Sequence, residues 1–434
     1  MSDPRRASNL PRIHPAAWHG AIGETVRRIA PATEADPVAI LVSCLALFGA
    51  IAGDQAWFRM GGARHPARIW PLIIGKTGSG RKGTSFAEAR TSARDWSGYA
   101  KAYTQARVVS GLASGEGLIA ALGGAVGNAA GEQEATAPDG KLTVLETEFA
   151  RTLSAAKRDG STLGPILRQL WDDGAASILT RAAPLSVRDA HLTVVAHITP
   201  HELKLRLAEA DLTGGTLNRF LLIASERPHL ISHEPRARAD VTEAAEWLGK
   251  ALDGARLAHG EMRRDPAAEE LWGEVYAALC DDEPDGTLGA VLARGPAYTM
   301  RLALTYALAD NDGAIRPKHL IAGLALWQYA AATARRLFPD TGRDDLDRLA
   351  RFIADAGQLG RTKTEISRLF AGNRTAEQLR QVVAKLESTQ RIEGFQEQPT
   401  GGVGRTIQRY RSTGRHVDRM TDLLSKYEMN ESTI

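Results

Sequence analysis

The stretch Ile69-Trp70-Pro71-Leu72-Ile73-Ile74-Gly75-Lys76-Thr77-Gly78-Ser79-Gly80-Arg81-Lys82-Gly83-Thr84-Ser85-Phe86-Ala87-Glu88-Ala89-Arg90 decides how this chain reads. Its first six residues form a short apolar run that stops at a glycine. That is the pattern of a strand buried on both faces in a parallel sheet. From Phe86 onward the sequence favours helix. Between the two lie four glycines, three cations and four hydroxyls in eleven residues. Glycines let backbone amides turn inward onto phosphate oxygens, and the N-terminus of the following helix adds its positive dipole end. A lysine in such a loop supplies a point charge to the outer phosphates, and a hydroxyl completes the shell of a Mg²⁺ ion. Gly75, Thr77, Gly78, Gly80, Arg81, Lys82, Gly83, Thr84 and Ser85 are therefore the expected binding set for ATP with Mg²⁺.

The spacing departs from the common P-loop, in which lysine follows the last loop glycine directly and Ser or Thr comes next. Here Arg81 stands in the lysine position and Lys82 in the hydroxyl position. One extra loop residue makes Lys82 the lysine and Thr84 or Ser85 the hydroxyl, with Thr84 taken as the metal partner. The alternative uses Arg81 directly.

Working outward, three more apolar runs read as strands: Leu142–Leu145, His191–Ile198 and Phe220–Ala224. Helical patterns separate them, which means an α/β core with a mostly parallel sheet. The second run ends in Glu146-Thr147-Glu148 and is expected beside the loop strand. Residues two apart on a strand face the same way, so both carboxylates are expected to reach the nucleotide. Glu148 is assigned as the water-activating base and Glu146 as the Mg²⁺ partner. The third run ends His197-Ile198-Thr199, where His197 or Thr199 is placed to sense the terminal phosphate. Arg219, after Gly214-Gly215, is expected to reach the nucleotide of a neighbouring subunit and stabilise transition-state charge. Arg294 and Arg301 are more distant candidates for a lid arginine.

Composition bounds these readings. At 43% hydrophobic and 24% charged residues, the 434-residue chain is of ordinary globular make-up. Two cysteines, Cys44 and Cys280, make neither a disulfide scaffold nor a cysteine zinc site, and no signal peptide or membrane span is evident. The expectation is a cytoplasmic protein with no membrane partner. Charge is unevenly placed. From Arg361 to Arg415 there are eleven basic and five acidic residues, a surplus of six, in a chain whose total is +3. Such asymmetry is the footprint expected of a phosphate-backbone partner.

The predicted organisation is a loose arm over residues 1–17, the ATPase core over 18–235, a helical subdomain over 236–340, a module over 344–415 and a tail over 416–434. In the module three helical patterns precede two strands, the order of a winged helix-turn-helix. In that fold the last helix enters the major groove and the wing touches phosphates. Arg374, Gln378, Arg380, Gln381 and Lys385 on or beside the last helix, and Arg405, Arg409 and Arg411 on the wing, are the candidate DNA-binding residues.

Residues 20–340 resemble the primase-helicase-type P-loop ATPase family found on phages, plasmids and integrative elements. The likeness rests on Gly80-Arg81-Lys82-Gly83-Thr84-Ser85. Ser114-Gly115-Glu116-Gly117-Leu118, Glu146 to Ala150, Arg168-Gln169-Leu170-Trp171-Asp172 and Asn218-Arg219-Phe220-Leu221 support it. The resemblance implies a RecA-like ATPase core, a homo-oligomer such as a hexameric ring, and work on DNA. No primase domain is recognisable ahead of the loop. The leading expectation is an ATP-dependent DNA motor of helicase or replication-initiator type. Its alternative is an ATP-switched DNA-binding regulator without unwinding activity.

Overall fold

Continuous apolar runs with few polar interruptions cannot leave a face to water, so they become the middle of a layered structure. In the computed structural model this middle is a five-stranded sheet. The structure describes residues 10–123, 140–179, 184–206, 215–233, 239–281, 286–339, 341–370, 374–397, 406–413 and 423–425. The chain divides into two compact units at Leu337/Phe338.

The sheet of the first unit comprises β1 (Pro71–Ile74), β2 (Val108–Val109), β3 (Lys141–Glu146), β4 (His191–Ile198) and β5 (Leu221–Ala224). Its order is β2-β3-β4-β1-β5, and every neighbouring pair is parallel. The fold is α/β and compatible with a RecA-like core. The acidic strand β3 is not beside the loop strand, as the sequence suggested. β4 lies between them, and its Ile198 is the register partner of Ile74. The chain leaves β1 toward the far edge, to β2, whereas it leaves β4 in the opposite direction, past β1 to β5. Connections that part in this way open a crevice at the carboxyl ends of the two neighbouring strands. Residues 75–85 stand at that crevice.

Helix α1 (Pro37–Ala52) is apolar all round, and every residue from Val38 to Ala52 is buried. Such a helix has no solvent face and belongs inside the unit. Its start is fixed by Asp36, whose Oδ1 accepts the amides of Val38 at 2.9 Å and Ala39 at 3.3 Å. Oδ2 of the same carboxylate accepts the amide of Glu226 at 3.1 Å, tying the helix to the chain beyond β5. Helix α2 (Lys82–Trp96) follows the loop, α3 (Phe149–Ala156) and α4 (Leu163–Asp172) follow β3, and α5 (Pro200–Arg206) follows β4.

Two observations bear on the expected boundaries. Helices α6 (Gly295–Ala309) and α7 (Pro317–Leu337) belong to the same compact unit as the sheet. The Tyr329 hydroxyl donates to Ala224 O of β5 at 2.8 Å, and Ala224 N donates to Thr333 Oγ1 at 3.3 Å. Apolar residues on most faces of these helices leave them no independent stability, so they pack onto the sheet layer. The N-terminal segment is also docked before residue 18. Pro15–Trp18 forms a 3₁₀ turn, Ala17 is fully buried, and Ala17 O accepts the Tyr306 hydroxyl at 2.6 Å. Among the described residues no helix is long and apolar enough to cross a membrane.

The second unit contains α8 (Thr341–Ala354), α9 (Lys363–Leu369) and α10 (Ala376–Ser388). With them lies an antiparallel sheet of β6 (Arg361–Thr362), β7 (Ile392–Glu397) and β8 (Ile407–Ser412), in the order β6-β8-β7. Leu349, Ile353, Ile366, Leu386 and Ile392 form its core. Thr362 with Glu365 and Thr375 with Gln378 make capping boxes at the starts of α9 and α10.

Candidate functional site

Two glycines of the 75–85 segment, Gly75 and Gly80, are required by close backbone approach. A Cβ on Gly75 would meet Ser225 O at 2.6 Å, and one on Gly80 would meet Lys76 O at 2.7 Å. Gly78, at the crown, has φ +71° and open space around it. The turn is closed by Gly80 N donating to Lys76 O at 2.9 Å and Ser79 N to Thr77 O at 2.8 Å. Its outer side is held by the chain beyond β5. Ser225 Oγ donates to Gly80 O at 2.8 Å and Arg227 N to Ser79 O at 2.9 Å.

The two cations part company here. Arg81 adopts φ +44° as the N-cap of α2, and its guanidinium turns outward onto Glu34. Glu34 also accepts the amide of Ile231 at 2.9 Å and stands 3.6 Å from Arg227. Lys82, the first residue of α2, turns inward. Its ammonium donates to Gly75 O at 2.6 Å. Burial lowers the Lys82 pKa, and the nearby Glu202 carboxylate acts against that fall. The hydroxyls also separate. Ser85 is fully buried and donates to Lys82 O at 2.7 Å, whereas Thr84 is half-buried in the first turn. The first intrahelical bond is donated by Ser85 N to Arg81 O, so the amides of Lys82, Gly83 and Thr84 precede it. A turn that admits no side chain at Gly75 or Gly80, with an inward ammonium and a helix N-terminus, has the chemistry to hold phosphate oxygens.

The carboxylates at the end of β3 do not share a face. The strand ends at Glu146, and Thr147-Glu148 is a turn, so the two-residue period stops before Glu148. Glu146 is buried. Its Oε1 accepts the amides of Gly111 at 2.6 Å and Leu112 at 2.7 Å, and its Oε2 accepts the Thr152 hydroxyl at 3.2 Å. Its carboxylate thus ties the chain beyond edge strand β2 to β3 and α3, and does not fit a free metal ligand. Glu148 is exposed at the N-terminus of α3.

At the end of β4, His197 is buried, with its Nε2 lacking a hydrogen-bond partner among the described residues. Burial, followed by the Lys82 charge, lowers its pKa to about 4, so the ring is neutral at pH 7. Thr199 caps α5 together with Glu202. Thr199 Oγ1 donates to Glu202 Oε2 at 2.7 Å, Thr199 N donates to the same oxygen at 3.2 Å, and Glu202 N donates to Thr199 Oγ1 at 3.2 Å. Sequence reasoning passed over Glu202. The signal was present in Thr199-Pro200-His201-Glu202, a capping box directly after a strand that borders the loop.

Arg219 lies at the opposite end of the sheet. It precedes β5, whereas the loop follows β1, and the two strands are parallel. Its guanidinium is buried against Asp172, which also faces Arg294 at 3.1 Å. Arg301 is fully buried, 3.6 Å over the Trp171 ring, and donates to Arg68 O at 3.1 Å. It is a core residue and not a lid.

One cluster, His19, Asp310 and His319, has metal-ligating residue types within 4.8 Å of one another. Asp310 Oδ2 faces His19 Nε2 at 2.8 Å, His319 Nε2 at 3.1 Å and the Lys318 ammonium at 2.7 Å. Burial raises the Asp310 pKa, but these hydrogen bonds prevail and hold it well below the usual carboxylate range. Arg316 N donates to His319 Nδ1 at 3.0 Å, so the ring proton of neutral His319 sits on Nε2, which then has no lone pair for a metal. The cluster is an ion-pair network.

In the second unit, Gln381 and Lys385 are exposed on α10. Gln378 Oε1 is engaged in its cap, accepting Thr375 N at 2.9 Å. The arginines are paired within the unit: Arg374 with Asp345, Arg380 with Glu377, Arg409 with Glu397 and Arg411 with Glu393. Arg405 lies outside the described residues. Comparison of the chain with protein-family models and with curated proteins finds no match.

Proposed function

We propose that the chain binds ATP at Gly75–Ser85 and hydrolyses it to act on DNA, as a motor of helicase or replication-initiator type of a mobile genetic element. The observation that carries the reading is the Lys82 ammonium, 2.6 Å from Gly75 O inside the turn at the crevice between β1 and β4. Phosphate oxygens would replace that carbonyl as its partner, and the amides of Lys82, Gly83 and Thr84 would cradle them. Thr84 supplies the hydroxyl on the Mg²⁺ side, since Ser85 is engaged with the helix backbone. Mg²⁺, when bound with the nucleotide, neutralises phosphate charge. Glu148 is the exposed carboxylate after β3. Arg219, at the far end of the sheet from its own loop, would serve a nucleotide held by a second copy in a homo-oligomer once released from Asp172. The C-terminal unit is read as a winged helix, with Gln381 and Lys385 toward DNA. The Arg380–Glu377 and Arg411–Glu393 pairs are exposed and contribute little, so phosphates can take over these two arginines at small cost.

The switch reading draws support from one observation: Arg219 is held by Asp172 within its own subunit. Turnover of ATP by wild type and Lys82→Ala, each with and without single-stranded and duplex DNA, separates the two. A motor shows turnover stimulated by single-stranded DNA that vanishes in Lys82→Ala. DNA binding with negligible turnover in both proteins supports the switch.

A further inference from the structure

We infer that Glu202 is the carboxylate that faces the terminal phosphate at the Gly75–Ser85 loop and takes the proton of the attacking water. The inference rests on the ATP-hydrolysis reading above. Its basis is position. β4 is the direct neighbour of β1, and Gly75 N donates to Ile198 O at 3.2 Å, so the chain leaving β4 runs alongside the first loop residue. Four residues beyond Ile198, Glu202 sits in the first turn of α5. The capping box fixes its side chain by engaging Oε2 twice. Oε1 has no hydrogen-bond partner among the described residues, and the residue is exposed to incoming water. Electrostatics agree with this placement. The two Thr199 hydrogen bonds, and after them the Lys82 charge, hold Glu202 below the usual carboxylate range, and Glu202 in turn supports the proton on Lys82.

The other carboxylates are less well placed. Both oxygens of Glu146 are taken by Gly111, Leu112 and Thr152. Glu148 follows β3, which is separated from β1 by β4, roughly 10 Å away at the spacing of strands. In the step itself, the water oxygen bonds to the terminal phosphorus while the bond from phosphorus to the bridging oxygen breaks. That bond's electron pair leaves on the diphosphate, and one water proton passes to Glu202 Oε1. Because such transition states are loose, orientation of the water matters more than the strength of the base, and a carboxylate of depressed pKa suffices.

The test uses the full chain with ATP and Mg²⁺. Glu202→Gln keeps an oxygen for the cap but cannot take the proton. Its kcat is expected to fall by about 100-fold or more. Its affinity for a fluorescent ATP analogue should be unchanged or tighter, because a negative charge near Lys82 is removed. Glu148→Gln should lose less turnover than Glu202→Gln. The melting temperature of Glu202→Gln, expected to match wild type, separates a lost proton acceptor from a lost cap. A Glu202→Gln enzyme with wild-type kcat overturns the assignment, as does loss of turnover in Glu148→Gln instead. A wild type with no turnover, or one that Lys82→Ala matches, overturns the ATP-hydrolysis reading and this one with it.

Discussion

At the scale of single residues, the loop turns on a choice between adjacent cations. Arg81 and Lys82 carry the same charge, but helix geometry sends them to opposite sides: one onto Glu34, the other onto the Gly75 carbonyl. The sequence alone left both open, because the loop is one residue longer than the common spacing and φ of the hinge residue cannot be read from composition. Gly80 is a sharper test of the turn. Gly80→Ala would put a methyl 2.7 Å from Lys76 O and 3.0 Å from Gly75 C, backbone atoms that cannot swing aside. We expect it to cost roughly 1–3 kcal/mol in urea unfolding and to weaken ATP binding. A protein of wild-type stability and affinity would mean that the turn is more open than described. Buried histidines give a second residue-scale prediction. Burial, and then neighbouring cations, hold His65 and His197 at about 4 and His191 well below its usual value. The unfolded chain takes up protons near pH 6.5 that the folded chain refuses. Stability should therefore be flat above about pH 7 and fall as the pH drops from 6.5 toward 4, by roughly 1.4 kcal/mol per pH unit for each histidine involved. Melting temperatures across pH 4–8 would show it. A rise in stability on acidification would contradict it.

At the scale of elements, the long buried strands were legible because apolar runs bounded by glycine or proline leave few alternatives. What could not be read were neighbours in space. Strand order is set by crossovers and not by local sequence, so β3 was expected beside β1 when β4 in fact separates them. The two-residue spacing of Glu146 and Glu148 failed as a guide for a similar reason. It presumes that a strand continues, and this one ends at the first carboxylate. The two-residue edge strand β2 was missed as well, since Val108-Val109 carries no pattern of its own and is ordered through the amides that Glu146 accepts beyond it. Glu146→Ala would leave the Gly111 and Leu112 amides without their carboxylate, at a cost of about 3 kcal/mol. Urea denaturation should show that loss. An unchanged midpoint accompanied by lost turnover would instead mark Glu146 as part of the chemistry.

At the scale of the whole molecule, the five-stranded parallel sheet brings its carboxyl ends together at one crevice. Lys82, His197, Thr199 and Glu202 come from the first turns or last residues of elements far apart in sequence. Helices α6 and α7, within the stretch expected as a helical subdomain, are apolar on most faces and belong to the same compact unit as the sheet. The functional reading depends on the loop holding a nucleotide through Lys82. Equilibrium binding of ATP to wild type, Lys82→Ala and Arg81→Gly tests this most directly, since glycine accepts the left-handed backbone at position 81 without strain. We expect Lys82→Ala to lose about 100-fold in affinity, about 2.7 kcal/mol, and Arg81→Gly to stay within about threefold of wild type. Undiminished binding in Lys82→Ala, or a loss confined to Arg81→Gly, would contradict it.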